Sequence, residues 1–536
     1  MANHLIQLEG EGPTLSNKNT CYSILFFSII LGILLRFYKI GEQPLWLDEA
    51  YSYWFSTRSI KELWITVPRY ETNPPLYYTI LKVWGLFGSS ESWLRSLSAI
   101  MSIGCIPLVF MLGRLLGKPI GGEWIGAAAA SMFAVSPVHI QYAQEARAYA
   151  MLTFFATMTL CAILWAMRHP GDACIPLFAK GSNLKNREKY IIGWAPLLCW
   201  ITIIFGTIFT LYMHNTSVLY VLTLTLVIIA WFVKDLKFNY YFLANSLIAC
   251  LIVLLFWGPY IIFLLHQTKQ IIKGSSILPP NVFSTMNSIF FILIGRGIGY
   301  SWVVKLIMKI GIFLVVTILA GVGLWNIRRH CGVYVSILIL CSIIGPILLE
   351  LIFSVTITPI FVDRTLIYIS VPFYVSIGAG LMTLRDLKKR IFLFIIIIFA
   401  FLYGTTNYYR DNQKEPWNEI VHLVTNQSNL EDIVLLVPNN LELPFSYYID
   451  NNNKKPEIVP LPNPFPGSNP GISFSVLTSK DIPKINKLTA NKISVWVITR
   501  REDLFDPNRI VINLLLNQRD LISKWHFRGI SIYKFM

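Results

Sequence analysis

Charged residues are scarce in this sequence of 536 residues. Asp, Glu, Lys and Arg make up 14% of the chain, whereas soluble globular proteins carry about 25%. Acidic residues are the scarcer kind, with 29 against 45 Lys and Arg, which gives a net charge of +16. Because 54% of the chain is hydrophobic, this excess indicates a multi-spanning membrane protein with cations in its loops. It argues against nucleic acid as a partner, whose binders carry basic patches on a polar domain.

The sequence also lacks the cysteine patterns of disulfide frameworks and zinc sites. Its eight cysteines lie mostly within apolar runs, and none forms a C-x-x-C pair, so we expect neither a disulfide framework nor a metal site built from them. The first apolar run has no A-x-A cleavage signal and is followed by many others, which favours a membrane anchor over a removable signal peptide.

Apolar runs long enough to cross a bilayer recur from residue 22 to residue 409. A bilayer core needs about 20 apolar residues per helix, and the runs predict about eleven helices. The predicted spans are 22–38, 93–113, 122–138, 148–167, 191–212, 216–233, 241–264, 286–325 (one long or broken helix), 333–356, 365–384 and 391–409. The chain is therefore predicted to be a polytopic α-helical membrane protein.

Lys and Arg collect in five alternate loops, which predicts the orientation of the chain. Cytoplasmic loops carry an excess of these residues, so we assign that side, and the N-terminal segment 1–21, to the cytoplasm. An odd number of spans then places residues 410–536 outside. The cations concerned are Arg114, Lys118, Arg168, Lys180, Lys185, Arg187, Lys189, Lys234, Lys237, Arg328, Arg329, Arg385, Lys388, Lys389 and Arg390.

The tail, residues 410–536, is less apolar and reads as a small α/β domain. A helix is predicted over 416–424, with proline in its first turn. Short β-rich runs predict strands at 433–437, 457–461, 493–498 and 530–533. We therefore expect a small extracytoplasmic α/β domain after the last span.

The first outer loop, residues 39–92, is too long for a simple connection and too aromatic for a solvated linker. Its segment "PLWLDEAYSYWF" alternates aromatic and charged residues, as helices lying at the membrane interface do. Asp48 and Glu49 lie just after the first span, where carboxylates are costly unless solvated, paired or functional. For this pair alone, a solvated loop acid explains the sequence about as well as a site does.

Other acids and bases lie in loops on the same predicted face. They are Glu71 and Arg95 in the first outer loop and the span after it, Glu145, Arg147 and Tyr149 at the mouth of a later span, His214 in a tight hairpin, Lys269 in another outer loop, and Arg364 at the start of a helix. Their convergence from separate loops suits a site where an anionic lipid headgroup meets a second substrate.

The motifs "LDEA", "NPPLYY", "ESWLRSLSA", "SPVHIQYAQEARAYA" and "FVDRTLIY" occur in this order. This order resembles the GT-C glycosyltransferases, and within them the family-39 relatives: protein O-mannosyltransferases, the undecaprenyl-phosphate aminoarabinose transferase and bacterial lipopolysaccharide sugar transferases. The resemblance covers roughly residues 20–410, and "KEPWNEIVHLV" after it resembles the tail of bacterial members. It implies a GT-C catalytic domain over 22–409 in a bacterial inner membrane.

The resemblance implies an inverting transfer of a sugar from a polyprenyl-phosphate donor to a glycolipid, polysaccharide or protein acceptor on the outer side. Asp48 matches the family's essential aspartate and is expected to act as general base. Glu49 is expected to position Asp48 or to bind the acceptor. The charge on the leaving phosphate needs cations, for which Arg147 and Arg364 are the first candidates and Lys269 the next.

Several assignments stay open. Glu145 is either a second acceptor-side acid or the partner of Arg147, and the partner role is preferred. Many relatives have His where this chain has Asn73, which weakens any metal or sugar contact there, and His214 is a weak candidate because Asn215 replaces a common Tyr. No metal ligand set is assigned, and the use of a divalent cation is undecided, because only some GT-C enzymes use one.

A transporter or flippase of lipid-linked saccharides is the main alternative. Transporters place charges and broken helices near mid-membrane in paired halves, whereas no halves repeat here and the acids lie at span ends. Glu350 and Arg296 are the exceptions, and each lies close enough to a helix end to snorkel. A non-catalytic scaffold, the third alternative, leaves Asp48, Arg147 and Arg364 without a role.

Overall fold

The computed structural model describes residues 15–170, 173, 194–234, 240–273, 279–295, 302–410, 414–449, 456–466 and 476–536. Its helices up to the end of the apolar region are α1 (Leu15–Phe37), α2 (Leu47–Ser56), α3 (Leu76–Trp84), α4 (Glu91–Arg114), α5 (Gly122–Val135), α6 (Pro137–Ala143), α7 (Tyr149–Arg168), α8 (Trp194–Met213), α9 (Ser217–Lys234), α10 (Tyr240–Trp257), α11 (Ile261–Lys273), α12 (Val282–Ile294), α13 (Trp302–Cys331), α14 (Val333–Thr356), α15 (Ser370–Leu381) and α16 (Leu387–Arg410). The loop cations Lys180, Lys185, Arg187, Lys189 and Lys237, together with Arg296, lie outside the described residues.

Eight helical stretches in the described part are long and apolar enough to cross a bilayer. They are Lys18–Phe37, Glu91–Arg114, Tyr149–Arg168, Trp194–Met213, Phe242–Ile272, Ile310–Cys331, Val333–Thr356 and Leu387–Arg410. Shorter apolar helices include Ser217–Val233, Val282–Ile294 and Ile367–Leu381. The polytopic helical class is confirmed, while the total of about eleven spans stays a prediction.

The predicted segment 286–325 divides into two helices, α12 and α13. Gly295 ends α12 with a φ of +87°, a conformation that glycine adopts without steric cost. A methyl group on Gly295 would also collide with the side chain of Pro137 at the start of α6. The end of α12 is therefore fixed against the same outer segment that carries Glu145 and Arg147.

Close main-chain contacts join helices of the bundle. In α4 and α5, Gly113 and Gly126 face each other so closely that a methyl group on Gly113 would meet the main chain of Gly126. A methyl group on Gly380 of α15 would likewise collide with Leu319 of α13. Small residues allow membrane helices to approach and gain packing contacts, so these crossings fix the helices whose outer ends carry the candidate site.

The domain after the last predicted span, described over 414–449, 456–466 and 476–536 and called the outer domain after its predicted side, contains one five-stranded sheet. Its elements are α17 (Trp417–Gln427), β1 (Ile433–Val437), α18 (Glu442–Tyr448), β2 (Glu457–Pro460), α19 (Ile482–Thr489), β3 (Val495–Thr499), α20 (Glu502–Phe505), α21 (Ile510–Leu516), β4 (Leu521–Phe527) and β5 (Ile530–Phe535). The strand order is β2-β1-β3-β5-β4, with β2, β1 and β3 parallel and β5 and β4 antiparallel. One face packs on Trp417 and Phe445, and the other on Ile485 and Val511. The small α/β domain is confirmed, and β4 is a strand that the sequence did not predict.

The outer domain contacts helix α2. The amide of Asn440 donates to the hydroxyl of Tyr51 at 2.8 Å. The hydroxyl of Tyr448 accepts from the main chain of Leu45 at 2.5 Å and donates to Glu91 at 2.8 Å. These contacts place the outer domain directly over the residues that follow the first span.

The predicted orientation leads to a labelling experiment on a variant without native cysteines. A cysteine replacing Glu431, exposed in the outer domain, should react with a membrane-impermeant maleimide in intact cells. A cysteine replacing Lys388, exposed at the other end of α16, should react only after lysis, because positively charged loops stay in the cytoplasm. Labelling with the reverse pattern would show that the orientation is inverted.

Candidate active site

Asp48 and Glu49 lie in the first turn of α2. Carboxylates are favoured there, because the first main-chain N–H groups of a helix carry partial positive charge. The two side chains have different surroundings: the Glu49 side chain is fully buried, and the Asp48 side chain is 21% exposed. The predicted pair therefore divides into one internal and one accessible carboxylate.

The carboxylate of Glu49 is bonded on both oxygens. Its Oε1 accepts from Arg95 Nε at 2.7 Å and from the main-chain N–H of Ala146 at 2.9 Å. Its Oε2 accepts from Arg95 Nη2 at 2.7 Å and from Lys414 Nζ at 2.9 Å. Burial by itself raises the pKa of Glu49, but the charges of Arg95 and Lys414 outweigh it and lower the pKa to about 2. Glu49 is thus an anchor of the loop, which favours positioning over direct contact with the acceptor.

Arg95 cannot serve as a substrate-binding residue in this arrangement. Besides its two bonds to Glu49, its Nη1 donates to the carbonyls of Ile40 at 2.9 Å and Gln43 at 2.7 Å, and its Nη2 donates to Pro44 at 2.9 Å. All five N–H donors of a guanidinium are therefore engaged. This corrects the expectation from the sequence: Arg95 fixes the chain that leads into α2.

Asp48 forms an ion pair with Arg364. The distance from Asp48 Oδ2 to Arg364 Nη1 is 2.7 Å, and the Arg364 side chain is 37% exposed. Arg147 Nη1 donates to the main-chain carbonyl of Asp48 at 3.1 Å and to Ser52 Oγ at 3.4 Å. Burial raises the pKa of Asp48, but the charges of Arg364 and Arg147 outweigh it and hold the pKa below its usual value. Asp48 is therefore ionised at neutral pH and beside two cations.

The ring of Tyr149 is near both arginines. The guanidinium carbon of Arg147 is 5.8 Å, and that of Arg364 5.9 Å, from the centre of its ring, within the range of a cation–π contact. Within the described residues, the remaining donors of both guanidinium groups have no hydrogen-bond partner, whereas Ser98 fixes the main chain of Arg147 at 3.1 Å. Two guanidinium groups therefore lie beside Asp48, and such groups suit an anion with several oxygens.

Glu71 is a buried carboxylate near Arg147. Its Oε1 accepts from the main-chain N–H of Asn73 at 3.0 Å, from the Asn73 amide, and from the Tyr78 hydroxyl at 3.2 Å. Burial raises the pKa of Glu71, although the charge of Arg147 opposes this. Asn73 thus holds Glu71 in place.

A small cavity opens between these groups. Its volume is about 10 Å³, and it is lined by Ser52, Asn73, Tyr77, Tyr78, Arg147, Ala148, Tyr149 and Met213. Such a volume holds about one water molecule. Arg147 and Tyr149 thus line the same cavity as Asn73, the partner of Glu71.

Glu145 does not pair with Arg147, which corrects the preferred reading of the sequence. Its side chain is buried, and its Oε1 accepts from the Gln141 amide at 3.5 Å. No ion pair is formed by Glu145 within the described residues. Burial raises its pKa, against the nearby charge of Lys414. Glu145 is an internal acid beside the Glu49 cluster.

Of two further predicted site residues, His214 lies beside Tyr149, and Lys269 is exposed. The His214 ring is 6.2 Å from the Tyr149 ring, and its Nδ1 accepts from the main-chain N–H of Thr216 at 3.2 Å. Burial, followed by the charges of Arg364 and Arg147, lowers the pKa of His214 to about 3, so the ring is neutral. Lys269 is exposed on α11 and, within the described part of the chain, forms no ion pair or hydrogen bond with Asp48, Arg147 or Arg364.

Glu350 is buried in α14 and does not snorkel, contrary to the expectation from the sequence. It is fully buried, and its two carboxylate oxygens lie 3.3 and 3.2 Å from the Thr365 hydroxyl, whose single proton also has the main-chain carbonyl of Val362 as an acceptor at 2.7 Å. Thr365 follows Arg364 directly. Glu350 therefore supports the segment that presents Arg364 to Asp48.

Lys414 is the main site residue that sequence reasoning missed. It is 7% exposed, lies between α16 and α17, and donates to Glu49 and to the main-chain carbonyl of Gln144 at 3.0 Å. The available signal was a lysine and a glutamate placed directly between the last span and the first outer helix. Their partners are distant in sequence, so the signal did not identify a role.

The residues present do not fit a bound metal ion. Among the described residues, no group of three or more His, Cys, Asp and Glu side chains could hold one. The carboxylates of Asp48 and Glu49 are instead paired with cations. We therefore derive no chemical step through a metal.

Comparison with solved structures identifies the fold. ArnT from Cupriavidus metallidurans in the apo state matches with a TM-score of 0.59 over 96% of this chain and 98% of ArnT, at 10% sequence identity. ArnT bound to undecaprenyl phosphate matches with a TM-score of 0.56 over 95% and 97%, at 11% identity. The chain therefore shares the fold of ArnT.

A second group of GT-C neighbours has a longer chain. The archaeal oligosaccharyltransferase AglB from Archaeoglobus fulgidus, in complex with an inhibitory peptide and a dolichol-phosphate, matches with a TM-score of 0.51 over 91% of this chain and 70% of AglB, at 10% identity. No protein-family model and no curated protein sequence matches the chain. At such low identity, the likeness concerns the fold, and function is argued from the site.

The buried position of Glu49 leads to a prediction about stability. Replacing Glu49 by Gln leaves Arg95 and Lys414 buried without their counter-charge, which costs about 3–5 kcal/mol in comparable cases. We expect a clearly lower melting temperature in detergent, measured by tryptophan fluorescence. Glu42→Gln removes an exposed pair with Lys39 and should leave the melting temperature unchanged, since exposed pairs contribute little.

The difference in stability between the parent and Glu49→Gln should depend on pH. Because the folded-state pKa of Glu49 is about 2 and its ordinary value is 4.5, ionised Glu49 stabilises the fold fully above pH 4.5. The contribution is lost as the pH falls from 4.5 towards 2. A Glu49→Gln variant as stable as the parent at neutral pH would contradict the anchoring role.

Proposed function

We propose that this protein is a membrane glycosyltransferase that moves a sugar from a polyprenyl-phosphate donor to an acceptor on the extracytoplasmic side. The observation that carries the proposal is the Asp48–Arg364 pair with Arg147 beside it, at one end of the bundle and under the outer domain. The GT-C fold supports it, because a structure with this fold, ArnT, binds undecaprenyl phosphate. Two guanidinium groups can bind the oxygens of a phosphate leaving group. The ionised carboxylate beside them can take a proton from the acceptor.

Asp48 acts as general base in the proposed mechanism. Its carboxylate takes the proton of an acceptor hydroxyl or amine while that oxygen or nitrogen attacks the anomeric carbon of the donor sugar. The bond between this carbon and the phosphate oxygen breaks, and the electron pair leaves with the polyprenyl phosphate. A single displacement inverts the anomeric centre through an oxocarbenium-like transition state.

Arg147 and Arg364 stabilise the leaving phosphate. Their guanidinium carbons lie 5.8 and 5.9 Å from the centre of the Tyr149 ring, and fixed cations stabilise charge that develops in the transition state. Without donor, one nitrogen of Arg364 is occupied by Asp48. The proposal is that a bound donor phosphate draws Arg364 towards itself, so that Asp48 becomes a stronger base when the donor is in place.

The other predicted site residues act around this centre. Glu71, held by Asn73 and Tyr78, supplies the acceptor-side wall, and neutral His214 packs beside Tyr149. Glu49 fixes the turn that carries Asp48. The proposed acceptors are an envelope glycolipid, a polysaccharide or a protein, and the proposed location is a bacterial inner membrane.

A transporter is the second candidate, and only the buried Glu350 favours it. A transport site uses charges and broken helices near mid-membrane. Glu350 lies six residues before the end of α14 and bonds to Thr365, next to Arg364. This position near the outer end of the helix ties it to the proposed transfer site.

Asp48→Asn should abolish sugar transfer. Loss of a general base lowers the rate by about 10²- to 10⁴-fold. The assay uses purified protein in detergent, polyprenyl-phosphate-linked radiolabelled sugars, and one acceptor of each of the three classes. Asp503→Asn changes an exposed acid of the outer domain and should leave the rate unchanged. If Asp48→Asn transferred sugar at the parental rate, Asp48 would not be the base.

Arg364→Gln should move the acid limb of the kcat/KM pH profile to higher pH. This limb reports the free enzyme, in which Arg364 holds the pKa of Asp48 down. Without that charge the pKa of Asp48 rises, and the base is protonated over more of the acidic range. Arg58→Gln is the matched control, since Arg58 stacks on Trp54 at the other end of α2. An unmoved limb in Arg364→Gln would argue against the pairing of Arg364 with the base.

A further inference from the structure

Two adjacent charged residues are buried between the membrane region and the outer domain. Lys414 and Glu415 are each 7% exposed and lie between α16, which ends at Arg410, and α17, which begins at Trp417. Lysine and glutamate are almost never fully buried unless paired. Their partners therefore indicate why both are internal.

The two side chains bind opposite parts of the protein. Lys414 Nζ lies 2.9 Å from Glu49 Oε2 in α2. Glu415 Oε1 lies 2.6 Å from Arg500 Nε, and its Oε2 accepts from Trp417 Nε1 at 2.8 Å. Arg500 follows β3 of the outer sheet, and its main-chain N–H donates to Val437 of β1 at 3.0 Å. One dipeptide thus connects the turn that carries Asp48 to the core of the outer domain.

Pairing of Glu49 alone does not explain Lys414. Arg95 already forms two bonds with Glu49 at 2.7 Å, so a counter-charge is present without the lysine. A second buried cation carries a desolvation cost of several kcal/mol. The charge of Lys414 also acts on Glu145, the next buried acid, but burial and the charge of Arg95 outweigh both acids and lower the pKa of Lys414. The charged lysine is therefore costly for stability, and its position points to another role.

We propose that Lys414 is a positioning residue of the transferase: through Glu49 it fixes the first turn of α2, so that Asp48 faces the acceptor only when the outer domain is docked. The proposal rests on the proposed function of Asp48. It adds a role for the outer domain, which holds Glu415 through Arg500 and contacts α2 through Asn440 and Tyr51. Lys414 itself touches neither substrate.

The first test compares Lys414→Met with Lys414→Arg in the full-length protein. A displacement of about 1 Å at a reacting group can cost about 10²-fold in rate, so Lys414→Met should lower kcat by about 10- to 100-fold with donor KM nearly unchanged. Lys414→Arg keeps the charge and should recover most of kcat. Lys492→Met is the control. It removes a solvent-accessible ion pair of the outer domain, in which Lys492 Nζ lies 2.7 Å from Glu457 Oε2, and it should behave like the parent.

The second test needs no activity. Amide hydrogen exchange of residues 47–56 should be faster in Lys414→Met than in the parent, and unchanged in Lys492→Met. Glu415→Gln, which weakens the Arg500 pair and keeps a hydrogen-bond acceptor for Trp417, should shift exchange and kcat in the same direction by a smaller amount. If Lys414→Met does not fold, the Glu415→Gln variant still tests the proposal.

The outcomes separate this inference from the proposed function. Unchanged kcat together with unchanged exchange in α2 overturns the positioning role. A raised donor KM with unchanged kcat also overturns it, because Lys414 would then bind the donor. If the parent transfers no sugar from any donor while Lys414→Met still loosens α2, the proposed function fails and the mechanical link between the outer domain and α2 stands.

Discussion

The site depends on the hydrogen bonds and ion pairs of one buried carboxylate, that of Glu49. It receives four hydrogen bonds from three segments besides its own: α4 through Arg95, the connection before α7 through Ala146, and the segment after α16 through Lys414. A buried carboxylate without such partners would be very costly. The geometry of α2 is therefore fixed by the requirement to neutralise one charge.

Some charged groups of the site have all their hydrogen-bonding atoms engaged inside the protein, and others do not. Glu49 and Arg95 use all their bonding capacity inside the protein and hold the main chain. Asp48, Arg147 and Arg364 retain free oxygens or N–H donors and are partly accessible or face the cavity. Rigid supporting groups with a few unsatisfied polar atoms give the preorganisation that charge stabilisation in a transition state requires.

Much of the architecture could be predicted from local patterns. Long apolar runs identify membrane helices because the bilayer sets their length and composition, and the β-rich runs at 433–437 and 457–461 correspond to β1 and β2. The edge strand β4 was missed because most of its residues are exposed, so no apolar run marks it. The end of α12 at Gly295 depends on contact with Pro137, which a continuous apolar run does not reveal.

The helical membrane class, the α/β domain of the tail and the set of charged residues from which a site could be built all follow from local sequence patterns. The fold separates Arg364, which keeps free donors beside Asp48 within the described residues, from Arg95, whose donors are all used. Lys414 is 365 positions from Glu49 in sequence. Ion pairs between such distant segments form only when the fold brings them together in a region of low dielectric constant, so no local pattern encodes them.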